Sequence, residues 1–149
     1  IIYAINDVGQ LRFYKDNARD GTSSWHPNSG NVIGTGWNFK DIISDGNGII
    51  YGLKTNGDLY FYQDKARNGT WNWHPNSGNI ITSDWNYQSV FPNYMRVFSG
   101  GNGIIYVVSS SGDLFLTKDL RQDGVSQMYK GPGQRIGNGW SFTQLMGNY

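Results

Sequence analysis

The heptapeptide Trp-His-Pro-Asn-Ser-Gly-Asn occurs twice in the 149-residue chain, at 25–31 and at 73–79. Its side chains are of the types that hold a sugar. Trp25 and Trp73 offer flat apolar faces for one side of a pyranose ring or for an acetamido methyl. His26, Asn28 and Asn31, with their counterparts His74, Asn76 and Asn79, can donate and accept hydrogen bonds to hydroxyls. The competing explanation is a recent duplication of a turn that needs Pro, Asn and Gly for its geometry, with the histidines capping it. A second set recurs as Asp16…Arg19-Asp20-Gly21, Asp64…Arg67-Asn68-Gly69 and Asp119…Gln122-Asp123-Gly124. Arg19 and Arg67 carry the planar fork that can clamp sugar hydroxyls through two hydrogen bonds. The plainer reading of each is a surface ion pair, contributing at most about 1 kcal/mol.

Other chemistries find little support. Glycoside hydrolysis needs two carboxylates at a set separation, whereas Asp16, Asp64, Asp119, Asp58 and Asp113 recur once per repeat and read as turn formers. The two histidines, His26 and His74, occupy equivalent repeat positions, so neither a histidine metal site nor a catalytic triad is expected. Asp45-Gly46-Asn47-Gly48 lacks the ligand count of a calcium loop and reads as a glycine-rich turn. The chain has no cysteine, hence no disulfide, thiolate metal site or thiol nucleophile. No enzyme activity, metal or cofactor is expected. With 12 basic against 11 acidic residues there is no electrostatic footprint for nucleic acid or anionic lipid. No apolar run approaches the roughly 18 residues of a membrane span.

The elements that must position these loops are themselves repeated. Ile1-Ile2-Tyr3-Ala4-Ile5 returns as Ile49-Ile50-Tyr51-Gly52-Leu53 and again as Ile104-Ile105-Tyr106-Val107-Val108. Leu11 and Phe13 return as Leu59 and Phe61, and Trp37 as Trp85 and Trp140. The 149 residues therefore form a single segment of three repeats, at about 1–48, 49–103 and 104–149, the third opened by an insertion around Val90–Arg96 that is expected to cap a ring face or pack on a partner. Trp37, Trp85 and Trp140 are expected to pack between repeats.

Within one repeat, short β-rich runs alternate with turn signals. Ile49–Leu53, Leu59–Tyr62, Trp71–His74 and Trp85–Tyr87 read as four strands, the last clearer in the first repeat as Trp37–Ile43. No segment keeps a 3.6-residue period. Repeats of four short strands are the signature of a β-propeller, so the expected class is all-β, with three four-stranded blades per chain. Propellers have roughly 4–8 blades. Either two copies close a six-bladed ring as a homodimer, the terminal strand Trp140–Met146 leading into Ile1–Ile5 of the other copy, or the chain is a piece of a longer one. The absence of an initiator Met before Ile1 suggests a processed or trimmed chain.

Ile33-Gly34-Thr35-Gly36-Trp37-Asn38-Phe39, Ile136-Gly137-Asn138-Gly139-Trp140-Ser141-Phe142 and the paired strands Ile2-Tyr3 with Leu11, Ile50-Tyr51 with Leu59 and Ile105-Tyr106 with Leu114 together resemble the tachylectin-2-like β-propeller lectins and their bacterial relatives. The middle repeat departs, with Thr82-Ser83-Asp84-Trp85 in place of Ile-Gly-x-Gly-Trp. The resemblance implies a calcium-independent, non-enzymatic lectin that takes simple or N-acetylated sugars between neighbouring blades, several sites acting together. N-acetylglucosamine-type glycans are the expected partners, and a secreted, extracellular location goes with that role. The rival readings are a protein-interaction propeller without a sugar site and a glycan-targeting module of a longer enzyme.

Overall fold

The computed structural model describes residues 1–83, 94–142 and 144–147. Among them no helix forms, and all the strands pair antiparallel in three sheets. The first holds β1 (Ile2–Ile5), β2 (Leu11–Tyr14) and β3 (Val32–Gly34). The second holds β4 (Asp41–Gly46), β5 (Ile49–Leu53), β6 (Leu59–Gln63) and β7 (Asn79–Thr82). The third holds β8 (Tyr94–Gly101), β9 (Ile104–Ser109), β10 (Leu114–Asp119) and β11 (Met128–Gly137). Each sheet is ordered as its strands follow in the chain, an up-and-down meander.

The sheets do not coincide with the sequence repeats. The stretch from Trp37 to Ile43 was expected to be the last strand of the first repeat. Instead β4 pairs with β5, the opening strand of the second, in the register Asp41↔Leu53 to Ser44↔Ile50. The turn between them explains this. Gly46, Asn47 and Gly48 all have positive φ (81°, 49° and 77°), so the chain reverses at once and the two strands close as a hairpin. Gly101, Asn102 and Gly103 do the same for β8 and β9. Trp71–His74 also departs from the expected strand: only an isolated bridge, Asp64↔Trp73, forms there, as Asp16↔Trp25 does in the first repeat. The actual outer strands, β3 and β7, lie beyond the Pro-Asn-Ser-Gly turn. Trp140–Met146 carries no strand among its described residues. The insertion lies mostly outside the described residues, as does Trp85; its end enters β8.

The chain divides into two compact units, Ile1–Asn38 with Asp64–Trp73, and Phe39–Gln63 with His74–Tyr149. In the first, alternation along β2 buries Leu11 and Phe13, and Ile33 and Trp37 are buried as well. In the second, every residue of β5 is buried, and Tyr51, Leu53, Leu59, Phe61, Ile81, Ile105 and Val107 share one core. The edge strands β4 and β8 of that unit's two sheets are tied by Asp45. Its carboxylate accepts hydrogen bonds from the Ser99 hydroxyl and from the backbone N–H of Gly103. Burial pushes the Asp45 carboxyl above the usual range, against the pull of those two donors.

Tyr51 is fully buried and donates its hydroxyl to Asp119 Oδ2 at 3.1 Å. Burial, reinforced by the Asp119 and Asp45 charges, holds this phenol well above the tyrosine range. The folded state therefore keeps a proton that the unfolded chain releases above a pH of about 10. Stability is fully present below that pH and falls as pH rises past it. Urea midpoints measured between pH 8 and 11 should decline, and Tyr51→Phe, though less stable at neutral pH, should decline less steeply. Equal slopes would mean that Tyr51 is not responsible.

Candidate functional site

Each repeat carries the same loop between its two central strands and its outer one. An aspartate starts it. Asp16 Oδ1 accepts the N–H groups of Ala18 and Arg19, both at 3.0 Å, and Asp64 Oδ1 accepts that of Arg67 at 2.9 Å. Asp119 Oδ1 accepts those of Arg121 and Gln122. This closure holds Arg19, Arg67 and Gln122 in the left-handed region, with φ of 55°, 52° and 55°. A second small turn follows. Asp20 Oδ1 accepts the N–H and hydroxyl of Thr22, and Asn68 Oδ1 those of Thr70. The Thr22 bonds hold the Asp20 carboxyl below the usual range, and Arg121 does the same for Asp123.

The repeated heptapeptide folds identically in its two copies. His26 Nδ1 accepts the N–H of Asn28 at 3.1 Å, and His74 Nδ1 that of Asn76 at 3.2 Å. The rings stand edge-on to Phe13 and Phe61, both at 5.8 Å. The histidines thus cap the turn and keep Nε2 as the outward donor.

The asparagines fasten one repeat to the loop of the next. Within the first unit, Asn28 Nδ2 donates to the carbonyl of Asn68 at 2.7 Å and Asn31 Nδ2 to that of Gly69 at 3.2 Å. Within the second, Asn76 reaches the carbonyl of Asp123 at 2.7 Å and Asn79 that of Gly124 at 3.1 Å. A Cβ on Gly69 or Gly124 would stand 2.6 Å from that of Asn28 or Asn76, so the fit admits glycine alone. Tyr3 adds a bond to Asp64 Oδ2 at 3.0 Å, as Tyr51 does to Asp119. Trp73 Nε1 donates to the carbonyl of Ile33 at 2.9 Å, and its ring meets the buried Trp37 at 5.8 Å. In the third repeat, with Met128 at the tryptophan's position, the Ser126 hydroxyl reaches the corresponding carbonyl of Ile81.

The amides of Asn28, Asn31, Asn76 and Asn79 and the indole N–H of Trp73 are therefore engaged inside the chain. Trp25, Arg19 and Arg67 remain turned to solvent. Trp25 is half exposed, edge-on to Tyr14, and lines a groove with Ile2, Ala4 and His26. Arg19 and Arg67 make no ion pair among the described residues, where Arg121–Asp123 and Arg135–Asp113 are the pairs formed. One exposed aromatic was missed. Trp71 donates Nε1 to the carbonyl of Val32 at 2.9 Å, which fixes its ring, yet it is 63% exposed. The alternation Trp71-Asn72-Trp73-His74 places it in a strand by pattern alone. The signal that marks it is that Ser23 and Ser126 stand at the same position in the other repeats. Among the described residues no group of His, Cys, Asp or Glu could hold a metal ion.

The scaffold is repeated and all-β, its loops interlock within each unit, and they display an anchored aromatic and exposed guanidinium groups. The chain belongs to the tachylectin family, whose family model matches residues 1–145, and that membership points to carbohydrate binding. No curated protein and no solved structure matches it.

The asparagine bonds yield a direct expectation. Asn76→Ala should lower unfolding stability by about 1 kcal/mol, the usual worth of one such bond, read as a shift in urea midpoint. An unchanged midpoint would return this side chain to the pool of ligand groups.

Proposed function

We propose that this chain is a multivalent lectin for simple or N-acetylated sugars, bound where the loop of one repeat meets the heptapeptide turn of the preceding one. The observation that carries this reading is Trp71. Its indole is fixed at the edge by Val32 while its face stays open, so stacking a sugar costs little ordering entropy. The loop that carries it also presents Arg67, Asn68 and Thr70, held by the Asp64 and Asn68 turns. Arg67 supplies the bidentate donor, and Arg19 occupies the same place in the first repeat. His26 and Trp25 serve the surface of the first unit through Nε2 and the exposed indole, and His74 offers its Nε2 within the second. Asn28, Asn31, Asn76, Asn79 and Trp73 act by shaping the junction, their amides and indole N–H already being used.

Recurrence of the loop suits avidity: several weak sites on one scaffold bind a glycan-bearing surface far more tightly than one does. Two copies of three sheets each would form a six-sheet ring, and recognition of surface glycans outside the cell is the setting that such a ring fits.

A glycan array followed by calorimetry with N-acetylglucosamine tests the reading. Trp71→Ala and Arg67→Ala should each weaken binding by about tenfold, equivalent to about 1.4 kcal/mol, Arg67→Ala without moving the melting temperature. Binding to no glycan would overturn the lectin assignment. Glycan binding that survives both substitutions would move the site away from this loop.

A further inference from the structure

The three loops differ in charge at the residue that follows the left-handed one: Asp20 in the first repeat, Asn68 in the second and Asp123 in the third. The turn made there does not depend on that charge. Asn68 Oδ1 accepts the N–H of Thr70 at 3.1 Å and its hydroxyl at 2.7 Å. Asp20 Oδ1 accepts the same two groups of Thr22 at 2.9 Å and 2.7 Å.

The third loop shows what the charge does. Arg121 lies on the Asp123 carboxylate, with Nε 3.0 Å and Nη2 2.7 Å from Oδ2, and Nε 3.2 Å from Oδ1. Its guanidinium fork is filled from within the loop. The second loop, within Asp64–Trp73, keeps the cation and lacks that carboxylate. Its exposed charges are Lys65 and Arg67. Asp64, the one acid in this loop, is 1% exposed, and both its oxygens are taken, Oδ1 by the Arg67 N–H and Oδ2 by the Tyr3 hydroxyl. The turn fastened to this loop, residues 25–31, brings no carboxylate, His26 being its one titratable group. Four residues after Arg67, the indole of Trp71 is fixed at its edge on the Val32 carbonyl and is 63% exposed.

We propose that this loop takes an acidic sugar: the ligand's carboxylate lies on the Arg67 fork, as the Asp123 carboxylate lies on that of Arg121, and the pyranose face rests on Trp71. A carboxylate meets the fork with two parallel hydrogen bonds and cancels its charge, whereas a hydroxyl offers a single neutral oxygen. The other loops are unsuited. In the first, Arg19 is followed by Asp20, and Ser23 stands in place of Trp71. In the third, the arginine is already paired, and Ser126 stands in that place. This inference rests on the lectin reading and narrows it for the second loop to a pyranose that bears a carboxylate.

Calorimetry of the intact chain tests it. The methyl glycoside of N-acetylneuraminic acid should bind at least about tenfold more tightly than the neutral methyl ester of the same glycoside. Raising salt from about 0.05 to about 0.5 M should narrow that gap. Glucuronic acid should likewise bind more tightly than its methyl ester, since the carboxylate is the group recognised. Asn68→Asp retains a turn-forming Oδ1, as in Asp20, and gives Arg67 the kind of partner that Arg121 has. It should bring acid and ester within about twofold of each other, with the melting temperature reporting whether the loop still folds. Arg67→Gln, which leaves the backbone bond to Asp64 in place, should close the same gap. Equal binding of acid and ester, alongside binding of N-acetylglucosamine, would overturn the acidic ligand and leave the lectin reading standing. A preference for the acid that survives both substitutions would place the carboxylate away from Arg67 and overturn this assignment. Binding to no sugar on a glycan array would overturn the lectin reading itself.

Discussion

A buried aspartate organises the second and third loops through its two oxygens. Asp64 and Asp119 are 1% and 0% exposed, and a carboxylate taken from water so completely must have its lone pairs met. One oxygen gathers the N–H groups of its own loop and bends the chain into the left-handed region at Arg67 or Gln122. The other receives the hydroxyl of a tyrosine from the preceding repeat. Loop shape and repeat spacing are thereby set by the same side chain. A loop that loses its form also loses its grip on the neighbour, which makes these junctions cooperative rather than a sum of small contacts.

That coupling explains the identity of the two heptapeptides better than ligand binding alone does. Asn28 and Asn76 face carbonyls in loops with nearly the same backbone, and Gly69 and Gly124 admit them at the same distance. The histidine cap holds the asparagine in place, and Phe13 or Phe61 holds the histidine. The third repeat reads Tyr129-Lys130-Gly131-Pro132 and lacks the asparagine at the position of Asn28 and Asn76.

The repeat and the all-β class were legible in the sequence because they rest on spacing, which survives without knowledge of partners. The sheet boundary was not. Whether Asp41–Gly46 closes its own repeat or opens the next is decided by the φ angles of three turn residues, and the residue types allow either. The site was partly legible for a related reason. An asparagine amide that reaches a carbonyl 2.7 Å away and one that reaches a sugar hydroxyl are the same letter in the chain. Trp71 was hidden by its neighbour: Trp71 and Trp73 alternate as in a strand, but they donate to consecutive carbonyls, Val32 and Ile33, which no strand pairing requires.

What varies among the three loops is informative once the shared contacts are set aside. The aspartate, the left-handed residue and the following glycine do mechanical work in each repeat. The outward positions differ: Arg19, Arg67 and Gln122; Thr22, Thr70 and Val125; Ser23, Trp71 and Ser126. A loop with arginine, threonine and tryptophan presents a fork, a hydroxyl and an apolar face together, whereas Gln122, Val125 and Ser126 present neither a guanidinium nor an aromatic ring. The same backbone thus supports surfaces of unequal strength. The outward residues differ among the three loops while the aspartate that shapes each of them stays the same.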